Sequence, residues 1–136
     1  MKYLFLFLAL CVAACSGEAE PPLAISDVVV KKPMPGMHMS AGYFTLTNNS
    51  RQSIVITHVT SPQFESVEMH ESVIEEGVAR MVALDELALQ PGTTVEFAPG
   101  GKHLMLMRPG DDLATVALEF YAGDSVVLRV SVTPTG

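Results

Sequence analysis

Hydrophobic and polar residues alternate along most of this chain. Val116, Leu118 and Phe120 are separated by Ala117 and Glu119, and Val126, Leu128, Val130 and Val132 alternate with Val127, Arg129 and Ser131. Phe44 and Leu46 alternate in the same way with Tyr43, Thr45 and Thr47. A period of two sends every second side chain to one face of a strand. No stretch beyond the first fifteen residues sustains the 3.6-residue period of an amphipathic helix. Further strands are predicted over residues 25–30, 54–59, 67–73, 78–83, 94–98 and 103–107. The breaks between them are turn formers: Asn48-Asn49-Ser50, Glu76-Gly77, Pro91-Gly92, Pro99-Gly100-Gly101, Pro109-Gly110 and Gly123-Asp124. About nine short strands at this spacing predict an all-β domain, an antiparallel sandwich or Greek-key barrel.

The N-terminus follows a different rule. Lys2 is followed by an unbroken apolar run over residues 3–14, shorter than the roughly 20 residues that span a bilayer. The run ends in Val12-Ala13-Ala14-Cys15, which resembles a bacterial lipobox. Cys11 fits that pattern worse because bulky Leu10 precedes it. Residues 1–15 are therefore expected to be a lipoprotein-type secretory leader, with a lipid on Cys15 as membrane anchor. Residues 16–22, polar and ending in two prolines, are expected to be a tether. Residues 23–136 form the β domain, expected outside the cytoplasm.

Composition sharpens this picture in two places. A net charge of −7 without any cluster of Lys and Arg speaks against nucleic acid as a partner. Both cysteines, Cys11 and Cys15, lie in the leader region, so the β domain has no disulfide, no thiol nucleophile and no thiolate ligand. A soft-metal site in such a domain would have to be built from histidine and methionine.

Those two residues occur together. Met37-His38-Met39, Met69-His70 and His103-Leu104-Met105 set imidazole beside thioether three times. In "PGGKHLMLM" (residues 99–107) alternation sends Leu104 and Leu106 to one face and His103, Met105 and Met107 to the other. A hairpin turning about Glu75-Glu76 would pair His70 with Met81 and Glu71 with Arg80. A slip by two residues would keep His70 and Met81 on one face as diagonal neighbours, whereas a slip by one would part them. Two imidazoles and two thioethers thus emerge as candidate metal ligands: His70, Met81, His103 and Met105. Uncharged soft donors select Cu(I) over Zn(II), Ca(II) or Mg(II). Glu68, on the His70 face, would offset part of the charge. His58 reads as an ordinary surface histidine, and Met69 and Met107 as possible core fillers.

The spacing His70-x10-Met81-x21-His103-x-Met105 resembles the signature of the periplasmic PCu(A)C copper chaperones. "SAGYFTLTN" (residues 40–48), "VEMHES" (residues 67–72) and "PGGKHLMLM" resemble the surroundings of that signature, and the resemblance runs over about residues 24–132. It implies a cupredoxin-like fold that binds one Cu(I) through the four residues named, and a periplasmic chaperone rather than an enzyme. It further implies delivery to the copper-site subunit of cytochrome c oxidase, beside a thioredoxin-like copper chaperone. A copper-sequestering or resistance protein is the alternative. An electron-transfer cupredoxin fits less well, since blue-copper sites use a cysteine thiolate. The expected lipid anchor departs from the many relatives that look soluble. The chain also carries "KKPMPGMHM" (residues 31–39), where Met34, Met37, His38 and Met39 could form a second soft site, a funnel that hands copper on, or a loop packed over the barrel mouth.

Overall fold

The computed structural model describes residues 19–136. The expected leader, Cys11, Cys15 and the first part of the tether lie outside the described residues. Eleven strands follow: β1 (Leu23–Val30), β2 (Met39–Asn48), β3 (Ile54–Ile56), β4 (His58–Thr60), β5 (Phe64–Glu75), β6 (Val78–Ala83), β7 (Leu87–Leu89), β8 (Thr94–Phe97), β9 (Lys102–Pro109), β10 (Val116–Ala122) and β11 (Ser125–Val132). The all-β expectation holds, with two more strands than expected. The segment 54–59 is two strands, because β3 pairs with β7 while β4 pairs with β10. The three-residue β7 has too few residues to show an alternation.

Six strands form the main sheet in the order β1-β2-β8-β9-β5-β6, with β2 also pairing with β9. Opposite it lie the three-stranded sheet β11-β10-β4 and the β3-β7 pair. The strand pairings are antiparallel except for one parallel contact between β8 and β9, and an isolated parallel bridge joins Lys31 to Thr135. Among the described residues no sheet closes on itself, so the fold is an open cupredoxin-like sandwich and not a barrel.

The core lies between these layers. Phe44, Leu46, Met69, Leu104 and Leu106 come from the main sheet, and Val116, Leu118, Phe120 and Val59 from the opposing one. Phe44 stacks on Phe97 with ring centroids 4.4 Å apart. It meets Phe120 of the opposing sheet edge-on at 5.3 Å, a favoured aromatic geometry. Among the described residues, the buried core runs from Leu23 to Phe120.

The β5–β6 hairpin corrects the expected register. Its turn is Glu76-Gly77, both at positive φ (50° and 78°), the signature of a two-residue type I′ hairpin. Glu75 therefore pairs with Val78, Ser72 with Met81 and His70 with Ala83. His70 and Met81 are diagonal neighbours on one face instead of direct partners. The Glu71–Arg80 pair does not form. Lys102 Nζ donates to Glu71 at 3.1 Å, and Arg80 lies 3.6 Å from Glu75.

Leu104 is fully buried and sits between the core and the face that carries His103 and Met105. Leu104→Ala is expected to destabilise the domain by about 2–5 kcal/mol. Urea unfolding followed by circular dichroism measures this, with the midpoint falling and the slope unchanged.

Candidate metal centre

The candidate residues are placed by the main sheet. Opposite residues of an antiparallel pair share a face. In the β5–β9 pair, Met69 faces Leu104 and Val67 faces Leu106 on the core side. On the other side His70 faces His103 and Glu68 faces Met105. Met81 joins them from β6, opposite Ser72. From β2, Ala41 lies opposite Met105 and Met39 opposite Met107. His70, Met81, His103 and Met105 thus lie on one outer face, along a diagonal across β6, β5 and β9. Cross-strand diagonals of about 7–8 Å are within reach of long side chains.

The two rings have centroids 5.9 Å apart. Each has one nitrogen fixed by a hydrogen bond. His103 Nδ1 lies 3.1 Å from the Gly101 carbonyl. A carbonyl can only accept, so Nδ1 carries the proton and Nε2 keeps a lone pair. His70 Nε2 lies 2.8 Å from Glu68 Oε2, and the carboxylate accepts in the same way. His70 Nδ1 is buried and has no hydrogen-bond partner. A buried nitrogen left unpaired costs free energy, and in native structures it marks a place where a partner belongs. The pair therefore presents two lone pairs, Nδ1 of His70 and Nε2 of His103, each on a ring oriented through its other nitrogen. Metal-binding histidines are commonly held in this way.

The Pro-Gly turn before β9 supplies the fixing carbonyl. Gly101 N donates to the Ala98 carbonyl at 3.0 Å across Pro99 and Gly100, and Gly100 has φ 82°. Proline second and a positive-φ glycine third are the signature of a type II turn. The Gly101 carbonyl accepts from both His103 and the Ser72 amide, at 3.1 Å in each case. This atom sets the His103 tautomer, and the sequence signalled it only as a turn.

Beside the rings is an open cleft of about 580 Å³. Met81, Met105 and His103 line it, as do Met34 and Met37 from the segment before β2 and Met39 at the start of β2. Met81 is 61 % exposed on the edge strand β6. Met69 is core, as one reading expected, whereas Met107 lies on the outer face. His58 is exposed, stacked on Tyr121 at 4.4 Å, and takes no part in the site. Among the described residues no three His, Cys, Asp or Glu side chains form a group that could hold a metal ion. A metal on this face would need thioether sulfur to complete its shell.

Comparison with known proteins places the chain in a family and a fold. Residues 23–132 match the family described as "Putative lipoprotein LpqE-like". An uncharacterized protein of Rickettsia prowazekii, RP573, is 37 % identical over 75 residues, 54 % of this chain and 41 % of its own length. The chain spans about half the length of the curated relatives it matches. The copper-bound PCuAC domain of PmoF2 superposes with a TM-score of 0.62 at 21 % identity, over 85 % of this chain and 92 % of that one. The solution structure of CuI-DR1885 from Deinococcus radiodurans does so with 0.58 at 27 % identity, over 88 % and 82 %. The chain belongs to the LpqE-like family and has the fold of the PCu(A)C domains, which bears out the resemblance read from the sequence. Membership of a lipoprotein family places it in the periplasm, anchored by lipid.

The two rings are expected to hold opposite tautomers in the metal-free domain. Long-range proton–nitrogen correlation spectra should show the proton on Nδ1 of His103 and on Nε2 of His70. Glu68→Ala should release the preference of His70 and leave that of His103 unchanged.

Proposed function

We propose that this member of the family is a periplasmic Cu(I) carrier, holding one ion through His70 Nδ1, His103 Nε2 and the thioethers of Met81 and Met105. The observation that carries this reading is the buried, unpartnered Nδ1 of His70, directly across from His103 on a face that also carries Met81 and Met105. The copper-bound state named for the PmoF2 domain, and the Cu(I) state named for the Deinococcus protein, support it.

The donors set the chemistry. Thioether and neutral imidazole are soft and uncharged, so they favour Cu(I) and leave the ion its positive charge. Glu68, hydrogen-bonded to His70, lies close enough to offset part of that charge. Met81 stands on an edge strand in solvent, so its sulfur is the ligand an acceptor reaches first. Stepwise exchange follows: an incoming donor replaces Met81, then the remaining sulfur and the imidazoles are displaced in turn. That accessibility favours a carrier over a sequestering protein, which would enclose its ion. The acceptor in this reading is the copper-site subunit of cytochrome c oxidase, with a thioredoxin-like copper chaperone beside it, as the PCu(A)C resemblance implies.

Anaerobic titration of the leaderless domain with Cu(I), in competition with a Cu(I) chelator, tests the ligand set. The complex should be silent in electron paramagnetic resonance. Glu68→Ala should weaken binding by about 10-fold, as expected for losing a hydrogen bond that supports a ligand. The Met81→Leu/Met105→Leu double variant should weaken it by more than about 100-fold, beyond the range for such supporting groups. His58→Ala should leave it unchanged. A double variant that competes as well as the parent would refute the assignment.

A further inference from the structure

Apart from Met1, the chain has seven methionines: Met34, Met37, Met39, Met69, Met81, Met105 and Met107. Five of them line one cleft, and the proposed function uses only Met81 and Met105. Of the remaining three, Met34 and Met37 lie in the short segment between β1 and β2, and Met39 is the first residue of β2. Methionine ordinarily fills cores, yet Met34 is 68 % exposed, Met37 45 % and Met39 43 %. A segment that merely capped the sandwich would bury these side chains. Here they stand around an open space instead.

The backbone of this segment is fixed. Met37 N donates to the Met34 carbonyl at 2.9 Å across Pro35 and Gly36, and Gly36 has φ 80°. This is a second type II signature, and it brings the Cα atoms of Met34 and Met37 to within about 7 Å of each other. Proline limits φ at the second position and glycine accepts the positive φ at the third, so the turn is held without a large core beneath it. Both flanks are tied down. Lys31 N donates to the Ala41 carbonyl at 2.9 Å, Lys32 N to Thr135 at 2.8 Å, and Arg108 N to the His38 carbonyl at 2.8 Å. The Ser40 hydroxyl donates to the Lys31 carbonyl. Met39 begins β2 two residues before Ala41, which lies opposite Met105.

We propose that Met34, Met37 and Met39 form a second soft-ion site, made of thioethers alone, at the mouth of the cleft beside the histidine pair. It takes Cu(I), or Ag(I) as its stand-in, since neutral sulfur discriminates against Zn(II) and the hard divalent cations. Lys31 and Lys32 also line the cleft. Their ammonium groups oppose a cation, but through water the repulsion is about 1 kcal/mol at 4 Å and smaller further out. Without imidazole and with these lysines near, the second site binds more weakly than the first. The ion can therefore pass between the sites by exchange of one sulfur at a time, Met39 and Met105 lying on adjoining strands.

The proposal relies on the preceding reading only for the identity of the ion, and the test separates the two. The leaderless domain, labelled at the methionine methyl groups, is titrated with Ag(I) and, anaerobically, with Cu(I). The first equivalent should shift the methyl signals of Met81 and Met105. The second should shift those of Met34, Met37 and Met39. The Met34→Leu/Met37→Leu/Met39→Leu variant, checked for an unchanged amide spectrum, should lose the second equivalent and keep the first. Conversely, Met81→Leu/Met105→Leu should retain the shifts of the other three methyls. Signals of Met34, Met37 and Met39 that stay still, or that move together with the first equivalent, overturn the second site and leave the first intact. If only those three signals respond, the second site stands and the histidine site falls.

Discussion

The antiparallel register of β5 with β9 is the constraint on which the rest of this molecule depends. It pairs Met69 with Leu104 and Val67 with Leu106 on one face, and His70 with His103 and Glu68 with Met105 on the other. A one-residue slip of β9 would turn Leu104 and Leu106 out to water and His103 inward, away from His70. Fully burying each such leucine contributes about 1.5–3 kcal/mol, so the core enforces the register strongly. The donor face needs no separate stabilisation, because it is the reverse side of a strand pair that the core has already fixed. This also accounts for a native site with an unpaired nitrogen at its centre. The cost of leaving His70 Nδ1 without a partner is small beside the burial that holds it there.

Where one alternation decided the outcome, the sequence was sufficient. "HLMLM" has apolar side chains on one parity and donors on the other, and no competing arrangement buries both leucines. The hairpin was harder. Registers two residues apart preserve the faces, so patterning cannot separate them, and the complementary charges of Glu71 and Arg80 pointed to the wrong one. An exposed ion pair contributes at most about 1 kcal/mol. The turn outweighed it: a two-residue hairpin requires positive φ at both central positions, and Glu76-Gly77 meets this more easily than Glu75-Glu76, because glycine carries no steric penalty there. Glu71 found Lys102 instead, across the other strand edge.

The remaining mismatches are also local. Residues 54–59 read as one strand because the apolar run is continuous. Thr57 interrupts it: its amide donates to the Tyr121 carbonyl at 2.8 Å, and the chain passes there from the β7 pairing to the β10 pairing. The short β7 is held partly by a side chain, since buried Asn48 donates through Nδ2 to the Leu89 carbonyl at 2.9 Å. Asn48 reads in the sequence as the start of a turn, and nothing in its neighbourhood announces a partner 41 residues away. The Gly101 carbonyl that orients His103 is invisible for the same reason. Backbone acceptors carry no residue-type signal, so a site that borrows them is only half legible from side chains.

The structure separates stiffness from mobility in a way that suits the proposed handling of a monovalent ion. The cleft is bounded by two Pro-Gly turns, one before Met37 and one before His103, whose backbones have little freedom left to lose. The imidazoles are oriented by Gly101 and Glu68. The thioethers are different: each hangs on three rotatable bonds, and those of Met34, Met37, Met39 and Met81 are exposed. An ion entering such a place meets a fixed pair of nitrogens and a set of sulfurs that can swing towards it one at a time. Rigid donors throughout would raise affinity and slow release. Mobile donors throughout would impose an ordering cost at every binding event. Anchored nitrogen with swinging sulfur lies between these limits, and it follows from where the sequence spends proline, glycine, histidine and methionine.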